Sequence, residues 1–234
     1  MLRFTEIFPK NVSAFVSGAE INFAYPKAGN FLNSGQEEYV KNEFKVSPLR
    51  VASIKQVHED NIVIVDDKYL KDGKVPFADA LITDLDNAVL TVRTADCLSI
   101  FLCDDKSRAL GLIHAGWKST AKKIAQKTVG KMKEHFKVDP GDLKAVFGPC
   151  IRSCCYEVSG ELKEHFPREI ILRDKKLFLD LALANRNQLV EAGLDIRKIS
   201  DCRICTYCGD NCFSHRKDGE GAGRMLSLLV KNII

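Results

Sequence analysis

Three residues of this chain combine metal-binding or nucleophilic chemistry with the same local setting. His58 follows VASIKQV, Cys97 follows AVLTVRTAD and His114 follows ALGLI. Each stands at or near the end of a β-like run. Two imidazoles and a thiolate have the softness to bind zinc, and they leave a fourth tetrahedral position open for water or substrate. Water held there is acidified toward neutral pH. Asp79 and Asp96 stand close in sequence as carboxylates that could orient an imidazole. Cys97 and His114 also read as a nucleophile–base pair of the kind cysteine hydrolases use. The ligand spacing is long and carries no motif, so residue types alone leave both readings open.

The elements that must position these side chains follow from patterning. Leu98 to Leu102 and Ala109 to Ile113 are apolar runs, and Asp104 to Ser107 make a polar break between them. Antiparallel pairing around that break would put Cys97 and His114 on one edge of a sheet. Strand-like runs also lie at Arg3 to Phe8, Asn11 to Val16, Ile21 to Tyr25, Val51 to Val57, Asn61 to Val65, Ala78 to Thr83, Ala88 to Arg93, Leu143 to Phe147, Ile196 to Ser200 and Met225 to Ile234. Ser34 to Phe44 reads as a helix capped by Ser34. Lys118 to Phe136 reads as one helix, with Ala121, Ile124, Ala125, Thr128, Val129 and Met132 at helical spacing. Ser159 to Phe166 reads as a short helix, and Phe178 to Glu191 contains another, DLALANRNQLVEAG, that stops at Gly193. Lys68 to Pro76 reads as a polar loop. Strands and helices mix without strict alternation. The expectation is an α+β fold, a single compact domain over residues 1–234 of packed mixed β-sheet with flanking helices.

Composition narrows the classes. The chain has 234 residues, 35 basic and 31 acidic, for a net charge of +4. That balance, with no dense basic block, argues against a nucleic-acid partner. No apolar run approaches the roughly 20 residues of a membrane span, and MLRFTEIFPKN does not read as a signal peptide. A cytoplasmic protein is expected, monomeric because no surplus apolar helix face stands out, acting on a small molecule. Neither G-x-G-x-x-G nor a P-loop appears. Nine cysteines are many for such a protein, and thiols or metal ligands are expected over a disulfide framework. The run Cys202-x-x-Cys205-x-x-Cys208-x-x-x-Cys212 copies a ferredoxin-like spacing and also suits a structural zinc. No proline follows Cys212 and no second run exists, so ordinary thiols are the simpler expectation there.

Seven short motifs occur in order: KQVH (Lys55 to His58), ADALIT (Ala78 to Thr83), TADC (Thr94 to Cys97), HAGW (His114 to Trp117), GPCI (Gly148 to Ile151), YEV (Tyr156 to Val158) and FSHRKDGEGAGR (Phe213 to Arg224). Together they resemble the YfiH, or DUF152, family, whose members have been described as polyphenol oxidases and purine nucleoside phosphorylases. The resemblance spans about Val51 to Arg224. It implies a metal set at His58, Cys97 and His114, and a fold related to the deamidase domain of cytotoxic necrotizing factor. It further implies zinc-dependent phosphorolysis of adenosine, inosine and methylthioadenosine, with adenosine deamination beside it and an older assignment of copper-dependent laccase activity. Lys118-Ser119 stand where the family often has Arg-Gly after HAGW, and His215 and Lys217 replace a Tyr and an Arg. The family's N-terminal Arg-Gly-Gly-Val-Ser segment is not legible at Tyr25 to Asn30.

Phosphorolysis needs a placed anion, so cationic groups are sought. Arg216 is the first candidate and Lys55 and Arg50 follow. Catalytic roles are expected for Cys97, His114 and Arg216, and substrate or phosphate contacts for Arg50, Lys55, Asp79, Trp117 and Arg216. Trp117, Tyr156, Phe147 and Phe213 are aromatic groups that could stack a purine, although a core role is simpler for Phe147. Asn185 and Cys150 are weaker pocket candidates. Zinc is the expected metal, and copper would bind the same three ligands. A multicopper oxidase needs many histidines, usually in His-x-His pairs; this chain has five histidines and no such pair. The His-x-Glu and Pro-Cys-x-x-Cys pattern of zinc deaminases is also absent.

Overall fold

Strands buried on both faces need apolar residues at every position, and this chain has several such runs. LSIFLCD at Leu98–Asp104 and LGLIHA at Leu110–Ala115 are buried throughout. In the computed structural model, which describes residues 1–4, 6–25, 32–44, 50–104 and 109–232, they lie side by side in a six-stranded sheet. Across that sheet the order is Ile199–Asp201, Leu143–Phe147, Leu98–Asp104, Leu110–Ala115, Ala80–Thr83 and Ile62–Ile64. Both parallel and antiparallel pairings occur in it. A second sheet has five strands, Leu2–Arg3, Val12–Val16, Met225–Lys231, Val89–Thr94 and Val51–Ala52.

The two sheets stack face to face. Ala14, Val16, Leu90, Val92, Met225 and Leu229 of the five-stranded sheet share one core with Leu81, Phe101, Cys103, Leu110, Leu112 and Val146 of the six-stranded sheet. The outer face of the six-stranded sheet carries Ile82, Leu98, Ile100, Ile113 and Phe147. These pack against Ile124, Ala125, Val129 and Met132 of the helix Ile124–Phe136 and against Leu181, Ala184 and Leu189 of Leu181–Glu191. The outer face of the five-stranded sheet meets Val40 of the helix Ser34–Phe44. Helix, sheet, sheet and helix follow one another, the expected packed mixed sheet with helices outside.

Local elements depart from the sequence reading in a few places. Lys68 to Pro76 is not all loop, because Asp67–Asp72 forms a helix. Its cap is Asp66, whose carboxylate accepts the Tyr69 N–H at 2.7 Å, and it ends at Gly73 with φ 60°. The Lys118 to Phe136 helix is two, Trp117–Ala121 and Ile124–Phe136, broken where Lys123 turns left-handed at φ 63°. Val51 to Val57 is a strand only over Val51–Ala52; the remainder is loop leading to His58. Ile21 to Tyr25 forms no strand, and Ser159 to Phe166 is a 3₁₀ turn at Gly160–Glu164. Ile170–Arg173 and Lys176–Leu179 form a hairpin that, with Glu157–Val158, makes a third sheet no patterning had suggested. Ile196 to Ser200 begins as a 3₁₀ turn before the strand Ile199–Asp201. Residues 105–107 of the polar break, 26–30 of YPKAGN and the final Ile233 and Ile234 lie outside the described residues.

Candidate metal centre and its cavity

The hairpin register decides where the chemistry sits. Leu98 pairs with Ala115 and Ser99 with His114, so Cys97, one residue before Leu98, lies at the same sheet edge as His114. Ala80 pairs with Ile113, which sets Asp79 beside His114 from the other side. The His114 N–H donates to the Asp79 carbonyl at 2.7 Å, and His114 Nδ1 and Asp79 Oδ1 are 2.8 Å apart. That bond occupies Nδ1 and leaves Nε2 free to ligate. The Asp79 carboxylate also accepts the backbone N–H groups of Val57, His58 and Glu59 at 3.2, 3.0 and 2.8 Å. One buried carboxylate thus holds two of the candidate ligands, His114 through its ring and His58 through its backbone.

The three candidate ligands converge. One donor atom from each of His58, Cys97 and His114 lies within 4.8 Å of the other two. Cys97 Sγ is 3.7 Å from His58 Nε2, and the two imidazole rings meet edge to face with centroids 4.9 Å apart. His58 at φ 60° and Asp96 at φ 89° are both left-handed, a conformation non-glycine residues adopt at a cost. The Asp79 carboxylate ties down the first. The second is held because Asp96 Oδ1 accepts the Thr206 hydroxyl and Oδ2 accepts the Arg216 N–H, each at 2.6 Å. Asp96 therefore anchors loops, while Asp79 alone orients an imidazole.

Gly116 explains the glycine of HAGW. A Cβ there would lie 2.8 Å from His58 Cδ2 and 2.9 Å from Cys97 Sγ. Two of the three candidate ligand side chains would have to move. Gly116→Ala is expected to weaken metal binding by about five- to a hundredfold, the effect of roughly 1–3 kcal/mol of overpacking. Competition against a chromophoric chelator measures it; unchanged affinity would mean that the ligands are not the groups crowding Gly116.

The ligands are electrostatically coupled. Burial pushes the Cys97 thiol up, but the His114 charge and hydrogen bonds from His114 and His58 outweigh it and bring Cys97 down to about 6. Burial pushes His114 down, and the Cys97 thiolate and Asp79 outweigh that and raise it to about 9. Burial would raise Asp79, yet its bonds from His114, Glu59 and His58 hold it below the usual carboxylate range. Between the Cys97 and His114 values the metal-free pair is thiolate and imidazolium. A metal bound there would have to displace the His114 proton, because only the neutral ring ligates. Metal affinity should therefore rise about tenfold per pH unit in that window, with about one proton released per ion. Calorimetry in buffers of different ionisation enthalpy counts that proton.

These ligands line a cavity of about 570 Å³ together with Tyr25, Gln56, Arg93, Trp117, Lys118, Ile151, Tyr156, His215, Arg216 and Arg224. Of the expected substrate contacts, Trp117 and Arg216 are in this lining. Arg216 donates from Nη1 to the Glu157 carbonyl at 2.8 Å and lies over the Tyr156 ring at 5.3 Å. Arg50 and Lys55 are elsewhere. Arg50 donates to the carbonyls of Asn87 and Asp86, each at 3.2 Å, and Lys55 sits over the Phe77 ring at 4.9 Å. Lys55 opens the KQVH motif that ends at His58, but neither side chain is part of the cavity lining. Asp79 lies behind His114 with no exposed surface and is not part of the cavity lining. Phe147 and Cys150 are buried in the core under the six-stranded sheet. Phe213 packs against the core between the sheets. Asn185 is also buried, its Nδ2 donating to the Thr120 hydroxyl at 3.0 Å.

Polar liners without an assigned role in the sequence include Gln56, Arg93, Lys118, His215 and Arg224. Arg93 stacks on Tyr25 at 4.1 Å, donates to the Phe23 carbonyl at 2.5 Å and is buried, which pulls its guanidinium down to about 10. Its signal was a lone charge in the apolar run AVLTVRT. Arg224 ends a quoted motif, and Lys118 follows HAGW directly.

Residues 34–232 match the family model described as multi-copper polyphenol oxidoreductase laccase, and the chain belongs to that family, the YfiH or DUF152 family. Among its relatives, the purine nucleoside phosphorylase of Clostridium acetobutylicum is 36% identical over 186 residues, covering 77% of each chain. An adenosine deaminase from an unknown prokaryotic organism is 32% identical over 187 residues, 73% of this chain and 71% of that one. The crystal structure of the Bacillus licheniformis hypothetical protein YfiH superposes with a TM-score of 0.84 at 27% identity, covering 94% of this chain and 93% of that one. Among the described residues no helix is long and apolar enough to cross a membrane.

Proposed function

We propose that this protein is a zinc-dependent purine nucleoside phosphorylase acting on adenosine, inosine and methylthioadenosine, with adenosine deamination as a side activity. The observation that carries the reading is the convergence of His58, Cys97 and His114 in a cavity that Lys118, Arg216 and Arg224 also line. The donor set and the close approach that Gly116 permits fit a single tetrahedral ion with one open position. When bound, a zinc ion would supply a Lewis acid at that position. The names of the relatives motivate the reaction class.

In phosphorolysis a phosphate oxygen bonds to C1′ as the C1′–N9 bond breaks. The bond electrons pass to the purine, which takes up a proton. Arg216, Lys118 and Arg224 give the phosphate its charge-assisted partners. The Arg216 guanidinium is preset by its bond to the Glu157 carbonyl and by the Tyr156 ring. Trp117 and Tyr156 give the base apolar faces to lie against. His58, Cys97 and His114 hold the ion, and Asp79 keeps the two histidines in ligating geometry.

Copper chemistry of the multicopper type finds no support in the residues. Of the five histidines in the chain, only His58 and His114 join Cys97. We further propose a cytoplasmic monomer, with no nucleic-acid partner in view of the small net charge of +4.

Inosine incubated with and without phosphate tests the reading. Hypoxanthine and ribose 1-phosphate should form only when phosphate is present. Arg216→Ala should raise the phosphate KM by about ten- to a hundredfold, the worth of one charge-assisted contact. Base release that ignores phosphate would overturn the proposal in favour of a Cys97–His114 hydrolase.

A further inference from the structure

The run Cys202 to Cys212 does not gather its own four thiols. Cys202 and Cys212 pack against the core between the two large sheets. Cys205 and Cys208 instead meet Cys154 and Cys155, about 50 residues earlier, and the four Sγ atoms lie within 4.8 Å of one another. All four are free thiols, Cys154 and Cys208 exposed, Cys155 half-buried and Cys205 buried. We propose that Cys154, Cys155, Cys205 and Cys208 form a second metal site, a closed tetrathiolate centre for one zinc ion with a structural role.

Geometry selects this occupant. A tetrahedron of sulfurs around one ion, with metal–sulfur bonds of about 2.3 Å, has edges of about 3.8 Å. Cys154 Sγ and Cys208 Sγ are 3.8 Å apart. An iron–sulfur cluster places its own irons and sulfides between the cysteines and needs them farther apart, so the ferredoxin-like spacing is a coincidence of sequence. Four thiolates leave no position for water or substrate, the mark of a structural site.

The backbone is built to present these thiols. Cys205-Thr206-Tyr207-Cys208-Gly209 closes a turn in which the Gly209 N–H donates to the Cys205 carbonyl at 2.8 Å. A Cβ at Gly209 would sit 2.4 Å from that carbonyl oxygen, so only glycine completes the turn. The facing turn closes with the Cys155 and Tyr156 N–H groups on the Arg152 carbonyl, each at 2.8 Å. A backbone β-bridge pairs Cys150 with Cys205, with the Thr206 N–H donating to the Cys150 carbonyl at 3.1 Å, and Arg152 clamps Asp201 through Nη1 and Nη2 at 2.9 and 2.6 Å. Arg173 ties in the third sheet by donating to the Cys154 carbonyl at 2.9 Å.

The site would brace one wall of the catalytic cavity. Tyr156 follows Cys155 directly and lines that cavity. Thr206, between Cys205 and Cys208, holds Asp96 next to Cys97. The inference stands whether or not the chain is a phosphorylase.

Elemental analysis of Cys97→Ser protein, purified under reducing conditions, tests it with the first site disabled. About one zinc per chain should remain. Cobalt exchanged into this variant should show thiolate-to-cobalt charge-transfer absorption and tetrahedral d–d bands. Adding Cys208→Ser should remove both the zinc and the bands, while Cys208→Ser in the otherwise native chain keeps metal at His58, Cys97 and His114. On the native protein, Cys154, Cys155, Cys205 and Cys208 should resist alkylation until a chelator is added. That readout needs no variant to fold. Absence of metal with all four thiols freely alkylated, a Cys154–Cys208 disulfide, or iron in place of zinc would each overturn the assignment.

Discussion

Replacing Cys97 with serine is expected to remove one metal equivalent per chain and to lower phosphorolysis by about 10³-fold or more. The thiolate is the soft member of the donor set, and it sits where the strand Leu98–Asp104 begins, 3.7 Å from His58 Nε2. A serine hydroxyl stays protonated near neutral pH and ligates zinc poorly, so two imidazoles alone would have to hold the ion. Losing the Lewis acid removes several kcal/mol of transition-state stabilisation, and each 1.4 kcal/mol is about tenfold in rate. The Cys97→Ser protein should stay folded, because the strand around it is fixed by Leu98, Ile100 and Leu102 in the core. Metal analysis and circular dichroism on the same sample separate loss of the ion from loss of the fold. Full activity in the folded variant would show that neither the metal nor the thiol takes part.

Asp79→Asn should weaken metal binding by about 10–100-fold, the usual worth of a carboxylate behind a ligating histidine. The substitution keeps the shape and removes the charge. Asp79, itself with no exposed surface, accepts from the half-buried Val57, His58 and Glu59 N–H groups and from His114 Nδ1. An asparagine offers one carbonyl oxygen in place of two carboxylate oxygens, and its NH₂ would face N–H donors. The metal-free protein should lose about 3 kcal/mol of stability, because a buried donor without an acceptor keeps its desolvation cost. Chelator competition and denaturant titration of the metal-free variant measure the two effects. Lost stability with unchanged metal affinity would assign Asp79 to the fold alone.

The hairpin that carries Cys97 and His114 was legible because its two apolar runs are buried on both faces and a polar break separates them. Strand ends could then be placed beside each other without knowing the remaining topology. The two-helix break at Lys123 was not legible. A left-handed lysine has no signature in a lysine-rich stretch, and the apolar spacing runs through the break unchanged. Arg50 and Lys55 are cationic residues that suit a phosphate by type alone, and residue type does not say which way a side chain points; neither lines the cavity. Arg93 belongs to the cavity because it lies near the end of Val89–Thr94 and its guanidinium is turned onto Tyr25. Asp79 reads from the sequence as a carboxylate that could orient an imidazole, but its pairing with His114 depends on the register between Ala80–Thr83 and Leu110–Ala115, which no local pattern encodes. The grouping of Cys154 and Cys155 with Cys205 and Cys208 depends on one backbone β-bridge between distant loops, at Cys150 and Cys205. Long-range pairings of that kind escape a reading built on spacing.

The most direct test of the central claim is a titration of chelated, metal-free protein with zinc, following phosphate-dependent hypoxanthine release from inosine. Activity should be absent at the start and rise to a plateau as His58, Cys97 and His114 fill. The His114→Asn protein should stay inactive at every zinc concentration. Turnover by the metal-free protein that depends on Cys97 and not on added zinc would contradict the account. It would make the thiolate a nucleophile in place of a ligand.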